Sequence, residues 1–289
     1  MQRLVKFLSV AFVLLFLSNC GESKDPKTLV MGTSADYPPF SMITNKKVEG
    51  FEVDLANMIV AKLGYSLKVK DMAFHSIIPA LQTQKIDFAI SAISVTPERL
   101  KNLDFSEEYY ESVFAMLYKI DKPLKNIDEL EGSKIGVQLG STMEVFLKDA
   151  SQYKKFNILA IASNNSLIQE LNVGRIDGVL LEEPQAKAFK EKNSNLDYSL
   201  FPDKNRGYVI AFQKGSALKE QFDSVLDELK QSGELDALKE KWQVGKATST
   251  LVSAESATEQ ESTKSQEDKV DITASIQKEE PSPAAKVES

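Results

Sequence analysis

The sequence predicts an α/β protein made of two lobes of similar build that share one cleft. Three observations lead there. Short apolar runs, long enough for buried strands and too short for helices, alternate with amphipathic helical stretches along much of the 289 residues. One ten-residue pattern occurs twice: Leu81-Gln82-Thr83-Gln84-Lys85-Ile86-Asp87-Phe88-Ala89-Ile90 is echoed by Leu171-Asn172-Val173-Gly174-Arg175-Ile176-Asp177-Gly178-Val179-Leu180. Each copy is a helix end, a basic residue, Ile-Asp and a buried strand. The first strand runs into Ser91 to Ser94 and the second into Glu182-Glu183-Pro184, at the strand ends where open α/β sheets hold ligands.

Residues 1–20 have the pattern of an export signal. Arg3 and Lys6 give a basic start, and Val10 to Leu17 is an apolar core too short to span a bilayer comfortably. The stretch ends in Leu17-Ser18-Asn19-Cys20-Gly21, which resembles a bacterial lipobox whose Cys becomes the lipidated first residue. Asn19 departs from the usual small residue before that Cys; the alternative is an ordinary signal peptide with an incidental Cys. Glu22 to Lys27 is a polar tether. Leu29 to Thr33 is a first strand, followed by Ser34-Ala35-Asp36-Tyr37-Pro38-Pro39-Phe40, where two prolines force an extended or turning backbone. Tyr37 either faces a ligand from this loop or packs beneath it. Asn45 to Val48 is a hairpin-like connection. Gly50-Phe51-Glu52-Val53-Asp54 opens a helix with Leu55, Ile59 and Leu63 on one face and Gly64 at its end; Glu52 and Asp54 are expected only to favour its start. Leu67 and Val69 mark a second strand. Pro79 belongs in a first turn, which starts the next helix at about His75; Phe74 just before it is core or a stacking platform.

Ile86 to Ile90 is the next strand, and the chain then becomes small and polar at Ser91, Ala92 and Ser94. Thr96-Pro97-Glu98 is a helix start, with Thr96 as N-cap and Pro97 in first place. Arg99 in that first turn faces the unfavourable end of the helix dipole. Two readings are open: a solvated surface Arg, or a guanidinium that holds a carboxylate together with the serines. Val113 to Tyr118 is a strand, Asn126 to Leu130 a short helix and Lys134 to Val137 a strand. Gln138-Leu139-Gly140-Ser141-Thr142 then turns into a helix through Met143, Phe146 and Leu147, a second weak anion-site signal. Phe156 to Ala160 is a strand and Leu167 to Val173 a helix. Glu182, after the echoed strand, is a cleft carboxylate or a solvated loop acid. A cation with donors on one lobe and a carboxylate on the other suits a zwitterion. Gly207 to Phe212 is a late strand; Leu218, Phe222, Val225 and Leu229 mark an amphipathic helix, and Leu235, Leu238 and Trp242 a final one. Residues 246–289 carry no aromatic and are rich in Ser, Thr, Glu, Lys and Pro, the composition of an acidic disordered tail.

Composition removes several function classes. A net charge of −7 argues against nucleic acid. Cys20 is the only Cys, which leaves no disulfide framework, zinc cluster or thiol nucleophile in the body, and His75 is the only His, which removes most Ser-His-Asp and metal-hydrolase readings. No cofactor is expected.

The segments GTSADYPPF, GFEVDLA, FHSIIPALQTQKIDFAISAISVTPER, DFSEEYY, GVQLGST, GRIDGVLLEEPQA and SGELDALKEKW resemble the bacterial extracellular solute-binding proteins of polar amino-acid ABC importers, such as the lysine/arginine/ornithine-, histidine- and glutamine-binding proteins. The match covers nearly all of residues 28–245; the tail has no counterpart. The resemblance implies the two-lobed periplasmic-binding-protein fold (type II) with two crossover segments. Lobe one would hold residues 28–111 and 207–245, and lobe two residues 116–205, with crossings near Glu111 to Ala115 and Arg206 to Val209. It implies that Arg99 clamps a ligand carboxylate with Ser94 and Thr142 as donors, and that Tyr37 and Phe74 sandwich the side chain. Ser91, Ala92, Gln138 and Ser141 would complete the site. Glu182 falls where many members have an Asp for the ligand ammonium, and Ser34 where many have an Asp that reads a basic or amide side chain.

The implied protein is a monomeric, lipid-anchored component of the cell envelope that binds a free polar or basic amino acid and delivers it to an ABC permease. It is not an enzyme. The runner-up is a cyclohexadienyl or arogenate dehydratase-like enzyme on the same fold, which needs a cleft acid of raised pKa such as Glu182.

Overall fold

A computed structural model describes residues 28–245. The export signal, the tether with Cys20 and the tail over 246–289 lie outside the described residues.

Strand β1 (Thr28–Thr33) is followed by a short antiparallel arm, β2 (Asp36–Tyr37), β3 (Ser41–Thr44) and β4 (Lys47–Glu49). Asn45 and Lys46 close the β3–β4 hairpin with φ of 51° and 63°, the left-handed pair that a two-residue turn demands. Helix α1 (Phe51–Lys62) ends before Gly64, whose φ of 77° suits it to the position after a helix. Strand β5 (Ser66–Asp71) and helix α2 (Phe74–Gln82) follow. The helix begins at Phe74, with Pro79 in its second turn. Strand β6 (Phe88–Ser94), helix α3 (Pro97–Leu100), β7 (Leu103–Lys119), a 3-10 turn (Ile127–Leu130), β8 (Lys134–Gln138) and α4 (Thr142–Ala150) come next. The chain continues with β9 (Asn157–Ile161), α5 (Asn164–Asn172), β10 (Gly178–Glu182), α6 (Glu183–Lys192) and β11 (Leu196–Gln213). Helices α7 (Leu218–Gln231) and α8 (Glu234–Lys241) complete it.

Eight strands form one sheet in the order β5-β1-β6-β11-β7-β10-β8-β9. Its core divides cleanly. Two apolar clusters draw only on residues from Leu29 to Tyr110 and from Tyr208 to Val244. Two others draw only on residues from Phe114 to Phe201. The sheet thus carries two lobes, each with helices on both faces. The two connections are the long antiparallel strands β7 and β11, which pair with each other from Leu103↔Gln213 to Lys119↔Leu196 with register shifts between Phe201 and Arg206 and around Val209.

The repeated Ile-Asp has the same task in each lobe. Asp87 Oδ2 accepts from Val30 N at 2.7 Å, and Asp177 Oδ2 accepts from Lys134 N at 2.8 Å. Ile86 packs over Gly32 and Ile176 over Gly136 so closely that a Cβ on either glycine would lie 2.4 or 2.6 Å from the isoleucine Cδ1. Each motif therefore locks a parallel strand to the neighbour that carries its half of the cleft.

Three expectations change. The strand expected over Ile86 to Ile90 starts at Phe88 and runs on through Ser91, Ala92 and Ser94, because Ile93 and Ser94 pair with Val209 and Tyr208 of β11. Val113 to Tyr118 is the second half of a much longer strand, and Gly207 to Phe212 is likewise the end of β11, since the two polar segments satisfy each other's backbone groups. Glu52 and Asp54 are not just helix-start acids. Asp54 Oδ2 accepts from Lys241 Nζ at 2.7 Å and Trp242 Nε1 at 2.8 Å, which pins the C-terminal helix to α1. Glu52 is fully buried and belongs to the site.

Candidate ligand site

A cavity lies at the strand ends between the lobes, with about 320 Å³ not occupied by protein atoms and part of it open to solvent. It is lined by Ser34, Tyr37, Phe74, Ser91, Ala92 and Arg99 from lobe one and by Gln138, Ser141, Thr142, Met143 and Glu182 from lobe two. Ser94 sits just behind this lining and is buried.

Arg99 is fixed by its own short helix. Thr96 Oγ1 accepts from Arg99 N at 3.2 Å, the N-cap bond that Thr-Pro-Glu-Arg encodes. The guanidinium then folds back over the Phe74 ring, 5.7 Å from its centroid, and donates through Nη1 to the Ser94 carbonyl at 2.7 Å. Nη2 donates to the Gly140 carbonyl on lobe two at 3.1 Å. Burial lowers its pKa to about 10, against the pull of Glu182, so it remains a cation at neutral pH. Arg99 is thus held across the cleft by carbonyls of both lobes rather than extended into solvent.

Glu182 is equally far from a solvated loop acid. It closes β10, is buried, and accepts from the hydroxyls of Tyr37 and Tyr208, the latter at 2.5 Å. Burial first and the nearby Glu182 charge second push both tyrosines well above their ordinary pKa, so both keep their protons and serve as donors. Tyr208 was not a sequence candidate: in Gly207-Tyr208-Val209-Ile210 it looks like any strand aromatic.

The remaining candidates divide by task. Ser91 Oγ accepts from Ser34 N at 3.0 Å and ties the residue after β1 to the middle of β6. Ser141 caps α4: its Oγ accepts from Glu144 N at 3.1 Å and donates to the Gln138 carbonyl at 2.7 Å. Its hydroxyl is thereby committed to the fold. The Gly140 N–H is committed too, to Glu144 Oε2 at 2.6 Å. Ser94 Oγ is buried with no hydrogen-bond partner among the described residues, and Thr142 lines the cavity at the head of α4.

Two residues that sequence reasoning passed over shape the lining from behind. Glu52 Oε1 accepts from Ala92 N at 2.6 Å and from Tyr109 Oη at 2.5 Å. Ala92 has a φ of +48°, unfavourable for a residue with a Cβ, and the Glu52 bond holds it there. Burial raises the Glu52 pKa from its ordinary 4.5 to about 7. Asp36, between two lining residues on the arm, reaches lobe two, as described below. Neither had a signal in the sequence: an acid beside a helix start or a proline turn is usually solvated.

Two α/β lobes on a shared sheet, with a cation from one and a carboxylate from the other in a single cleft, define a two-lobed ligand-binding protein. The chain belongs to the bacterial extracellular solute-binding proteins, family 3, whose model matches residues 29–246. The arginine-binding extracellular protein ArtP of Bacillus subtilis (strain 168) is 35% identical over 253 residues, covering 85% of this chain and 99% of that protein. A probable histidine-binding protein of Campylobacter jejuni subsp. jejuni serotype O:2 is 32% identical over 258 residues, covering 84% of this chain and 100% of that one. Among solved structures, an ancestral arginine-binding protein bound to arginine superposes with a TM-score of 0.72 at 36% identity, covering 75% of this chain and 98% of that one. The family and these relatives are solute-binding proteins, which decides against the dehydratase reading.

Proposed function

We propose that this protein is the substrate-binding component of an ABC importer for a polar amino acid, anchored at the cell envelope through a lipid on Cys20. One observation carries the reading: Arg99 of lobe one and Glu182 of lobe two face one cavity with opposite charges. That is the complement of an α-carboxylate and an α-ammonium. Arg99 with Ser94 and Thr142 takes the carboxylate, and Glu182 takes the ammonium alongside the Ala92 backbone. Tyr37 and Phe74 flank the side chain, whose far end meets Ser34 and Gln138. Lobe one comprises residues 28–111 and 207–245, and lobe two residues 116–205. A ligand touching both lobes stabilises only the closed arrangement, and this differential contact drives closure. Closed protein then docks as a monomer on its permease.

Relatives named for arginine and histidine make a basic side chain the first candidate. An uncharged Ser34 keeps neutral polar side chains in contention. A thermal-shift screen with the twenty amino acids tests the function directly. A ligand that binds only the folded state at a hundred times its Kd adds about 2.7 kcal/mol of stability. One or a few polar amino acids should raise the melting temperature by several degrees; no shift with any of the twenty overturns the reading.

Anchoring has its own test. Stable attachment needs two or more acyl chains, as a lipidated N-terminal Cys carries. Cys20→Ala expressed in a bacterial host should move the protein from the membrane fraction to the soluble one. Retention in the membrane fraction would sink the anchor.

A further inference from the structure

A carboxylate outside the cavity lining holds two of the lining residues, Ser34 and Gln138. Asp36 sits on β2 between the lining residues Ser34 and Tyr37. Its Oδ1 accepts from Ser34 Oγ at 2.9 Å and from Gln138 Nε2 at 3.4 Å. Its Oδ2 accepts from the backbone N–H of Asn164 at 2.7 Å, at the start of α5, and its carbonyl accepts from Gln185 Nε2 at 3.4 Å. The helix start favours a negative charge there.

Burial, with a smaller push from Asp71, raises the Asp36 pKa, and the bonds from the Asn164 N–H and the Ser34 hydroxyl pull against it. As a carboxylate it only accepts hydrogen bonds, and this fixes the polarity of both neighbours. Ser34 has one O–H hydrogen and gives it to Asp36. Toward the cavity it presents lone pairs. Gln138 must point its amide nitrogen at Asp36, which turns Oε1 the other way. Two side chains that are ambivalent in isolation thus become acceptors where a ligand side chain would end, with a negative charge behind them.

We propose that Asp36 is a specificity-determining residue: by orienting Ser34 and Gln138 as acceptors it selects amino acids whose side chains donate hydrogen bonds, guanidinium, ammonium or primary amide, and rejects acidic ones. The inference rests on the amino-acid reading of the cleft. It assigns the side-chain preference that an uncharged Ser34 leaves open.

Asp36→Asn separates this role from that of a strut between the lobes. Asn keeps an acceptor oxygen for the Asn164 N–H but offers an N–H to Ser34 Oγ, freeing the serine hydrogen to face the cavity. Titration calorimetry on the full chain would compare L-glutamate with L-arginine, L-lysine, L-histidine and L-glutamine; glutamine and glutamate differ only in a donor NH₂ against an acceptor oxygen. In the unsubstituted protein the tightest donor-bearing ligand should lead glutamate clearly. Asp36→Asn should narrow that ratio by about tenfold or more, the worth of one hydrogen bond involving a charged group. Ser34→Ala, which leaves Asp36 in place, should narrow it in the same direction and serves if Asp36→Asn does not fold. Equal weakening of every ligand, with the ratio unchanged within about twofold, makes Asp36 a strut and overturns the inference alone. An unsubstituted protein that binds none of these ligands overturns the amino-acid reading, and the inference with it.

Discussion

Arg99→Ala should weaken binding of the preferred amino acid by about thirtyfold to a few thousandfold. Removing one partner of a buried, hydrogen-bonded charge pair costs roughly 2–5 kcal/mol, at about 1.4 kcal/mol per decade of affinity. The loss should fall on the carboxylate end, so derivatives lacking an α-carboxylate should bind both proteins equally poorly. Arg99→Lys should recover only part, because an ammonium lacks the planar fork. Arg99 also has structural partners. Its guanidinium serves the Ser94 and Gly140 carbonyls and covers Phe74, so Arg99→Ala should also lower the melting temperature modestly without ligand. Calorimetric titration with circular dichroism as folding control reads both effects. Affinity near that of the unsubstituted protein in folded Arg99→Ala would remove Arg99 from the site.

What was legible in the sequence follows a physical rule. Local chemistry with one interpretation was readable: the Thr96 cap, the glycine after α1, the paired prolines and the Ile-Asp echo all depend on near neighbours. The two long strands were not. Glu107, Glu108 and Glu111 sit in β7 because β11 lies beside them, and no periodicity within 103–111 announces a partner about a hundred residues away. The cavity showed the same division. Most residues that line it could be picked from the chain; Met143, which read only as a helix residue, could not. Residues that act through others, Glu52 behind Ala92, Asp36 behind Ser34 and Gln138, and Tyr208 behind Glu182, have ordinary sequence surroundings. Glu52 and Ala92 are 40 residues apart, Tyr208 and Glu182 26, and Asp36 and Gln138 102, so these roles exist only once the chain has folded back.

Glu52→Gln should flatten the pH dependence of stability between about pH 4.5 and 7. The native protein holds the Glu52 proton up to about pH 7, whereas an ordinary glutamate releases it near 4.5. Across that window the native state carries a proton that the unfolded chain has lost, so stability falls as pH rises. The full difference, at about 1.36 kcal/mol per pH unit, comes to about 3 kcal/mol, present below 4.5 and lost through 7. Groups that face Glu52 are Tyr109, the Ala92 N–H and, at longer range, Glu182, whose charge also favours the protonated form. Glutamine keeps an oxygen for Ala92 and Tyr109 and never ionises. It places an amide nitrogen where Oε2 has no hydrogen-bond partner among the described residues. Urea unfolding of the ligand-free proteins at pH 4, 6 and 8 should therefore show Glu52→Gln gaining on the unsubstituted protein by about 3 kcal/mol from the lowest pH to the highest. Parallel curves would mean that Glu52 is ionised throughout, with its second oxygen served by solvent. The consequence reaches the cleft. Glu52 accepts from the N–H of left-handed Ala92, so the same residue that lowers stability at high pH shapes the wall against which the ligand ammonium is proposed to rest.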